Sequence, residues 1–336
     1  MITEKTEHYT LPYSLGGLLY TPALNDGIAE KIISRRFPCL RSLALCLEDA
    51  ICDSAVSEAE KTLVSTLKSL YAHISEKGRE GLPLLFIRVR SPEHLMNIHN
   101  MLGELEDILC GYILPKFDCS NGQSYAENIM DINSSLRENE KRIYAMPIFE
   151  SRGVADSTGR ISALNSIKKI TDSIKEYVLN IRVGGNDLCS LYGLRRSADQ
   201  TIYDIGVVRD ILNDIINVFS FEYVVSGAVW EYFGKTGEPG QWSHGLEREL
   251  RLDMLNGFVG KTAVHPSQLP VIDKALRVTR TDLEDAVKII NWSSDELGVE
   301  KSFGGSRMNE VKCHRRWAQK IKILGEIYGI KNENDI

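Results

Sequence analysis

The chain has 336 residues, 43% of them hydrophobic and 26% charged, with a formal net charge of −6. That length supports one large α/β domain, or two small ones, around a substantial core. The acidic balance argues against a general nucleic-acid-binding surface but leaves room for a local basic pocket for an anionic ligand. Seven cysteines (Cys39, Cys46, Cys52, Cys110, Cys119, Cys189 and Cys313) form no Cys-x-x-Cys pair. This usage fits a reduced, cytoplasmic protein without a disulfide frame or a zinc knuckle. The opening residues are polar and lack the apolar core of a signal peptide. No run approaches the roughly 18 apolar residues of a membrane span.

In chain order, eight short strand-like runs begin at Gly17, Leu43, Leu84, Gly111, Ile143, Tyr177, Phe221 and Val259. Helical periodicity fills the intervals over 54–75, 91–106, 123–139, 161–175, 198–219 and 246–257. The runs recur roughly every 35 residues, the length of a strand-loop-helix-loop unit. They are continuously apolar rather than alternating, as expected of parallel strands covered on both faces. Eight such units predict an α/β fold, a (β/α)8 TIM barrel over 1–275. An open doubly wound sheet is the alternative, but no Gly-x-Gly-x-x-Gly follows the first strand. Two further helical stretches, 267–278 and 281–293, a Gly304-Gly305 turn and a last amphipathic helix over 309–328 follow. The tail 276–336 exceeds what a barrel needs, so it is expected to form a lid or an oligomer contact.

In such a barrel the chemistry sits at the C-terminal ends of the strands. Those positions carry Glu48 and Asp49, Arg88 and Arg90, Lys116, Glu150, Asp187, Ser226 and His265. Gathering so many ionisable groups is costly unless they pair, bind a metal or meet a charged ligand. Glu150 and Asp187 each follow a short apolar run, and carboxylates on neighbouring strand ends can converge on one hard cation. Two carboxylates plus waters suit Mg²⁺, or Mn²⁺, better than zinc, which would want a His/Cys cluster. Each residue also has a plainer reading. Glu150 and Asp187 can cap helices, Arg88 can bridge to Glu48 or Asp49, and Lys116 can be solvated. His265 reads more readily as a structural histidine than as a base, and Ser226-Gly227 as a turn. Arg195-Arg196 is either an anion site or a solvated pair.

Six fragments occur in order along the chain. They are Leu45-Cys-Leu-Glu-Asp-Ala-Ile51, Phe86-Ile-Arg-Val-Arg90, Ile113-Leu-Pro-Lys116, Pro147-Ile-Phe-Glu150, Gly184-Gly-Asn-Asp187 and Gly260-Lys-Thr-Ala-Val-His-Pro-Ser-Gln268. Together they resemble the HpcH/HpaI aldolase and citrate lyase β-subunit-like family, over about residues 15–325. The segments 225–233 and 308–318 further resemble citrate-lyase-like proteins associated with tellurite-resistance gene clusters. The resemblance implies a Mg²⁺-dependent carbon–carbon lyase or aldolase that acts through an enolate on an oxo acid or an acyl-CoA-like thioester.

It implies that Glu150 and Asp187 hold the metal and that Arg88 contacts the substrate's carboxylate or enolate oxygen. Glu48, Asp49 and Lys116 join Arg88 as catalytic candidates, and Arg90, Ser226, His265 and Arg195 as substrate-binding ones. It also implies a homo-oligomer, a trimer or hexamer, in which an acid before the last helix reaches a neighbouring site. Glu310 stands at that position, where the family has Asp, and Arg90 stands where the family often has Asn. Two alternatives remain beside this reading: a metal-enolate enzyme for a phosphoenolpyruvate-like substrate, kept open by Arg195-Arg196, and a non-catalytic barrel for binding or assembly.

Overall fold

The computed structural model describes residues 9–136, 141–293 and 297–331. Eight strands lie parallel in one sheet: β1 (Gly17–Pro22), β2 (Ser42–Cys46), β3 (Leu84–Arg88), β4 (Gly111–Leu114), β5 (Tyr144–Phe149), β6 (Ile181–Val183), β7 (Val225–Ser226) and β8 (Lys261–Ala263). Their order is sequential from β7 back to β1, and β1 pairs with β8 through Gly17↔Lys261. A single parallel bridge, Gly227↔Lys261, joins the β7 edge to β8 and closes the barrel.

Strand periodicity divides the core into two shells. Leu43, Leu45, Leu85, Ile87, Ala145, Phe149, Ile181 and Val183 face the surrounding helices in one large apolar cluster. Ala44, Phe86, Ile113, Met146 and Ile148 point inward and fill the barrel with Leu15, Leu18 and Leu179. On the β6–β8 side the filling turns polar: Asn180, Arg182 and Ser226 are all at most 1% exposed. Ser226 Oγ donates to either Asn180 Oδ1 at 2.9 Å or the Val259 carbonyl at 2.8 Å.

The strand runs read from the sequence correspond to all eight strands, with two shortened. The run at Tyr177 begins as a 3-10 turn, Lys175–Tyr177, so β6 starts only at Ile181. The run at Phe221 pairs only at Val225–Ser226. The helices Val56–Lys77, Pro92–Leu102, Gly122–Ser135, Arg160–Ser173, Gly206–Phe219 and Gln241–Leu255 match the six expected stretches, except that Gly206–Phe219 begins eight residues after the expected start and Gln241–Leu255 five before it. The end of the 123–139 expectation lies outside the described residues. Helices Ile28–Ile33 and Gly185–Leu191 and strand β9 (Val299–Lys301) carry no expectation from the sequence, and β10 (Met308–Glu310), paired with β9, takes Asn309 and Glu310 from the start of the expected last helix. Among the described residues no helix is long and apolar enough to cross a membrane.

The last helix, Val311–Tyr328, packs against Arg280–Ile290. It is fastened beneath the N-terminal ends of the strands. Tyr328 Oη donates to the Tyr13 carbonyl at 2.7 Å, and Arg316 donates to the carbonyls of Ser220 and Phe221. This corrects half of the expectation for the tail: in its own chain the last helix lies at the end opposite the C-terminal mouth and is not a lid over it.

A buried ion cluster ties β8 to the helix outside it. Lys261 Nζ lies 2.8 Å from Glu249 Oε1 and 2.7 Å from Asp253 Oδ2, all three side chains being at most 3% exposed. Tyr203 Oη donates to Asp253 at 2.7 Å. Removing one member of such a cluster strands the others without solvent or counter-charge. Lys261→Met is expected to lower stability by about 3–5 kcal/mol, read from urea denaturation followed by circular dichroism.

Candidate functional site

A cavity of about 200 Å³ opens at the C-terminal ends of the strands. Its wall includes Asp49, Arg88, Glu150, Gly184 and Asp187 at the mouth, and Tyr20, Ile148, Arg182 and Thr262 deeper down.

Arg88 ends β3 on the inward face and is 7% exposed. Its Nη2 lies 2.6 Å from Glu48 Oε2, 2.9 Å from Asp49 Oδ2 and 3.6 Å from Glu150 Oε1. Burial works against its charge, but Tyr20, Glu150 and Glu48 together hold its affinity for the proton above the ordinary value. Glu48 is nearly buried and also pairs with Lys116 Nζ, which lies 3.2 Å from Asp49 Oδ1. Burial raises the Glu48 carboxyl, with Arg88 opposing. Burial pushes Asp49 upward too, but the hydrogen bond with Glu48 and the charges of Arg88 and Lys116 bring it down to about 2. Asp49 is therefore an ionised acceptor at neutral pH. Lys116 adopts a left-handed backbone conformation, φ 49°, and its N–H donates to Glu150 Oε1 at 2.9 Å.

Glu150 directly follows β5 and is 4% exposed. Parallel pairing of Phe149 with Val183 brings it beside Gly184. A Cβ at position 184 would stand 1.9 Å from Glu150 Oε2, so the site has room for this carboxylate only because residue 184 is glycine. Burial, with Arg88 opposing and the negative charge of Asp187 adding, pushes the Glu150 carboxyl up to about 8. Among the described residues Oε2 accepts no hydrogen bond, since the Lys116 contact uses Oε1. Asp187 stands in the first turn of Gly185–Leu191 rather than on an open loop, and it lines the same cavity. Two oxygen donors that repel each other, with only the Arg88 guanidinium at 3.6 Å from Glu150 Oε1 to offset them, form a donor set suited to a hard divalent cation. Among the described residues no three His, Cys, Asp or Glu side chains are placed to hold a metal ion by themselves, so water or ligand oxygens would complete such a shell.

The structure thus brings together Glu48, Asp49, Arg88, Lys116, Glu150 and Asp187. Of these, Glu48 and Lys116 stand behind the cavity wall on Arg88 and Asp49, and the remaining candidates do not line the cavity. Arg90 donates to the carbonyls of Leu47 and Ile51 at 3.1 and 3.3 Å and pairs with Asp53, so its guanidinium braces the loop after β2. Ser226 is consumed inside the barrel. His265 stacks on Phe233, with ring centroids 4.5 Å apart, and Nδ1 contacts Ser267 Oγ at 2.8 Å, so it serves the turn Pro266–Gln268. Arg195 is exposed on Glu231 at 3.1 Å, and Arg196 is buried against Glu249 and Trp230. Glu310 lies on the β9–β10 hairpin and accepts from Cys313 Sγ at 3.3 Å. The sequence reading passed over Tyr20, Arg182 and Thr262. The signal was an arginine inside an otherwise apolar parallel strand.

Fold and site together define a closed parallel barrel with a charged, small-molecule-sized pocket at its C-terminal mouth. The chain belongs to the carbon–carbon bond lyase family of the TIM-barrel fold, whose sequence model matches residues 9–330. Among solved structures it is similar to the protein CitE from Mycobacterium tuberculosis in complex with magnesium, acetoacetate and coenzyme A. That pair shares 19% identity and a TM-score of 0.58, covering 94% of this chain and 100% of that one. A citrate lyase β subunit from M. tuberculosis, complexed with oxaloacetate and magnesium, shares 19% identity at TM-score 0.50 over 79% of this chain and 98% of that one. RipC from Yersinia pestis shares 14% at TM-score 0.53, over 80% and 98%. No curated protein matches the sequence.

Gly184→Ala is expected to cost about 1–3 kcal/mol of stability through overpacking, measured by urea denaturation. Gly298→Ala, where an added Cβ meets nothing within 4 Å, should change it by no more than about 0.5 kcal/mol.

Proposed function

We propose that this chain is a magnesium-dependent carbon–carbon lyase or aldolase acting beside the carbonyl of a 2-oxo acid or an acyl thioester, through an enolate. The observation that carries this reading is that Glu150 and Asp187, following β5 and β6, line one cavity, with Glu150 Oε2 unclaimed. Their chemistry fits Mg²⁺, with Mn²⁺ as a substitute. The magnesium, acetoacetate and oxaloacetate complexes of the CitE and citrate lyase β-subunit structures support it. When bound there, magnesium supplies Lewis acidity towards a carbonyl oxygen.

The chain's own residues do the rest. Arg88 is held rigid by Glu48 and Asp49 and presents positive charge at the cavity wall, where an enolate oxygen would gain charge. Preorganisation matters more than charge alone, because a fixed guanidinium needs no reorganisation as the bond breaks. Lys116 acts through others: its N–H orients Glu150 and its ammonium offsets Glu48 and Asp49. The small cavity admits an oxo acid whole, but only the acyl end of a thioester. The phosphoenolpyruvate alternative loses the feature that kept it open, since Arg195 is exposed on Glu231 and Arg196 is spent on Glu249.

Three narrower statements belong to the same proposal. Residues 1–275 form the catalytic barrel and 276–336 its helical extension. The copies assemble as a trimer or hexamer in the cytoplasm, with Glu310 facing a neighbouring mouth. Segments 225–233 and 308–318 ally the chain with the citrate-lyase-like proteins of tellurite-resistance clusters. Light scattering at defined protein concentrations tests the assembly. A monomer throughout would remove any role for Glu310 in a shared site.

Glu150→Gln and Asp187→Asn are each expected to weaken Mg²⁺ or Mn²⁺ binding by more than about tenfold, measured by isothermal titration. Both should abolish metal-dependent exchange of solvent deuterium into pyruvate or oxaloacetate. Wild-type affinity in both variants would show that the metal is held elsewhere. Metal binding without exchange on any oxo acid or acyl thioester would favour the non-catalytic reading.

A further inference from the structure

Charge on the floor of the cavity is left unbalanced. Arg182, at the centre of β6, is 1% exposed and lines the cavity with Tyr20 and Thr262. Its Nη2 donates to Thr262 Oγ1 at 2.6 Å and its Nη1 to Asn180 Oδ1 at 3.4 Å. The Tyr20 hydroxyl is a third hydrogen-bonding neighbour. All three are neutral, and Nε is buried with no partner at all. Arg88 and Arg196 also have an Nε without a hydrogen bond, but other buried arginines of the chain differ in facing a carboxylate. Arg88 meets Glu48 and Asp49, Arg160 meets Asp214 at 2.8 Å, and Arg196 meets Glu249 at 3.4 Å. Among the described residues no carboxylate pairs with Arg182.

A guanidinium stays protonated inside proteins. Keeping it buried on neutral partners is unfavourable, and a well-packed apolar residue would be easier to accommodate. The position gains an advantage only when an anion arrives. Arg88 on β3 and Arg182 on β6 stand in different walls of one cavity of about 200 Å³. That is smaller than the roughly 300–1,000 Å³ of sites for drug-sized ligands. A small acid entering it meets two cationic centres, of which only Arg88 is already paired with protein carboxylates.

We infer that Arg182 is a specificity-determining residue that receives a carboxylate of the substrate at the inner end of the cavity, so that the site selects short acids bearing a carboxylate apart from the oxygen held near Arg88 and Glu150. The planar fork of the guanidinium matches a carboxylate edge, and the Thr262 hydroxyl stands beside it as a further donor. The inference rests on the reading of the mouth as the reacting end, and its test is arranged to be independent of metal.

Thermal unfolding is followed in EDTA for wild type, Arg182→Met and Arg182→Lys, with acetate, malonate, succinate or inorganic phosphate as probes. Wild type is expected to gain about 2 °C or more with malonate or succinate at saturation. Arg182→Met should lose that gain, and Arg182→Lys should keep part of it. Without ligand, Arg182→Met should melt no lower than wild type, because an unpaired buried charge has gone. Glu150→Gln should retain the dicarboxylate gain even if the magnesium assignment fails, which separates the two ideas. Four results overturn the inference. They are a gain that survives Arg182→Met, no gain from any carboxylate, a gain from phosphate alone, or a marked ligand-free loss of stability in both Arg182 variants.

Discussion

The charged mouth depends on one steric allowance: Glu150 occupies the space where a side chain at residue 184 would stand. Because Gly184 leaves that space empty, the carboxylate can lie at the junction of β5 and β6 instead of turning to solvent. Its two oxygens then have separate fates. One accepts the Lys116 N–H and lies 3.6 Å from Arg88, while the other faces the cavity. Lys116 can offer its N–H there through a backbone conformation in which it is one of only three non-glycine residues with positive φ among those described. A side-chain network, a strand register and a strained turn therefore converge on one carboxylate.

The barrel interior is organised as a gradient rather than a uniform filling. From β1 to β5 it is apolar, with Phe86, Ile113 and Met146. From β6 to β8 it carries Asn180, Arg182, Ser226 and Thr262. The apolar side supplies burial and fixes the strand positions. The polar side supplies directional contacts and the Arg182 charge deep in the cavity, while Asp49, Arg88 and Glu150 bring charge to the mouth from the ends of β2, β3 and β5. The last helix works at the far end, where Arg316 and Tyr328 secure loops that never approach the cavity. Stability and ligand contact are thus handled by different ends of the same strands.

Much of this was legible in the sequence, and for physical reasons. Parallel strands buried on both faces must be continuously apolar, so all eight could be marked, and the groups following them had to be the mouth. That reasoning puts Arg88, Glu150 and Asp187 at the mouth, where all three line the cavity. Arg90, only two residues from Arg88, was misplaced because sequence position does not say which guanidinium will turn back to the carbonyls of Leu47 and Ile51. Ser226 ends β7 and His265 follows β8, yet their hydrogen bonds go to Asn180, Val259 and Ser267, all within the scaffold. Arg182 escaped because it looked like an interruption in an apolar run. Period-two alternation puts it, with Asn180, on the inward face, but whether a buried arginine has a partner depends on residues 80 positions away, such as Thr262.

Closure of this barrel also sets the order in which it can form. β1 has one neighbour in β2, made soon after it, but its other edge must wait for Gly17 to meet Lys261. The Tyr13 carbonyl beneath it accepts from Tyr328, 315 residues later. On a ribosome, the first strand therefore leaves the exit tunnel with an exposed edge and stays one-sided until residues 261–263 of the 336 have been made. Contacts of such long sequence separation are slow to form. The interval before the last helix docks is the period in which the nascent barrel depends most on protection from pairing with other chains.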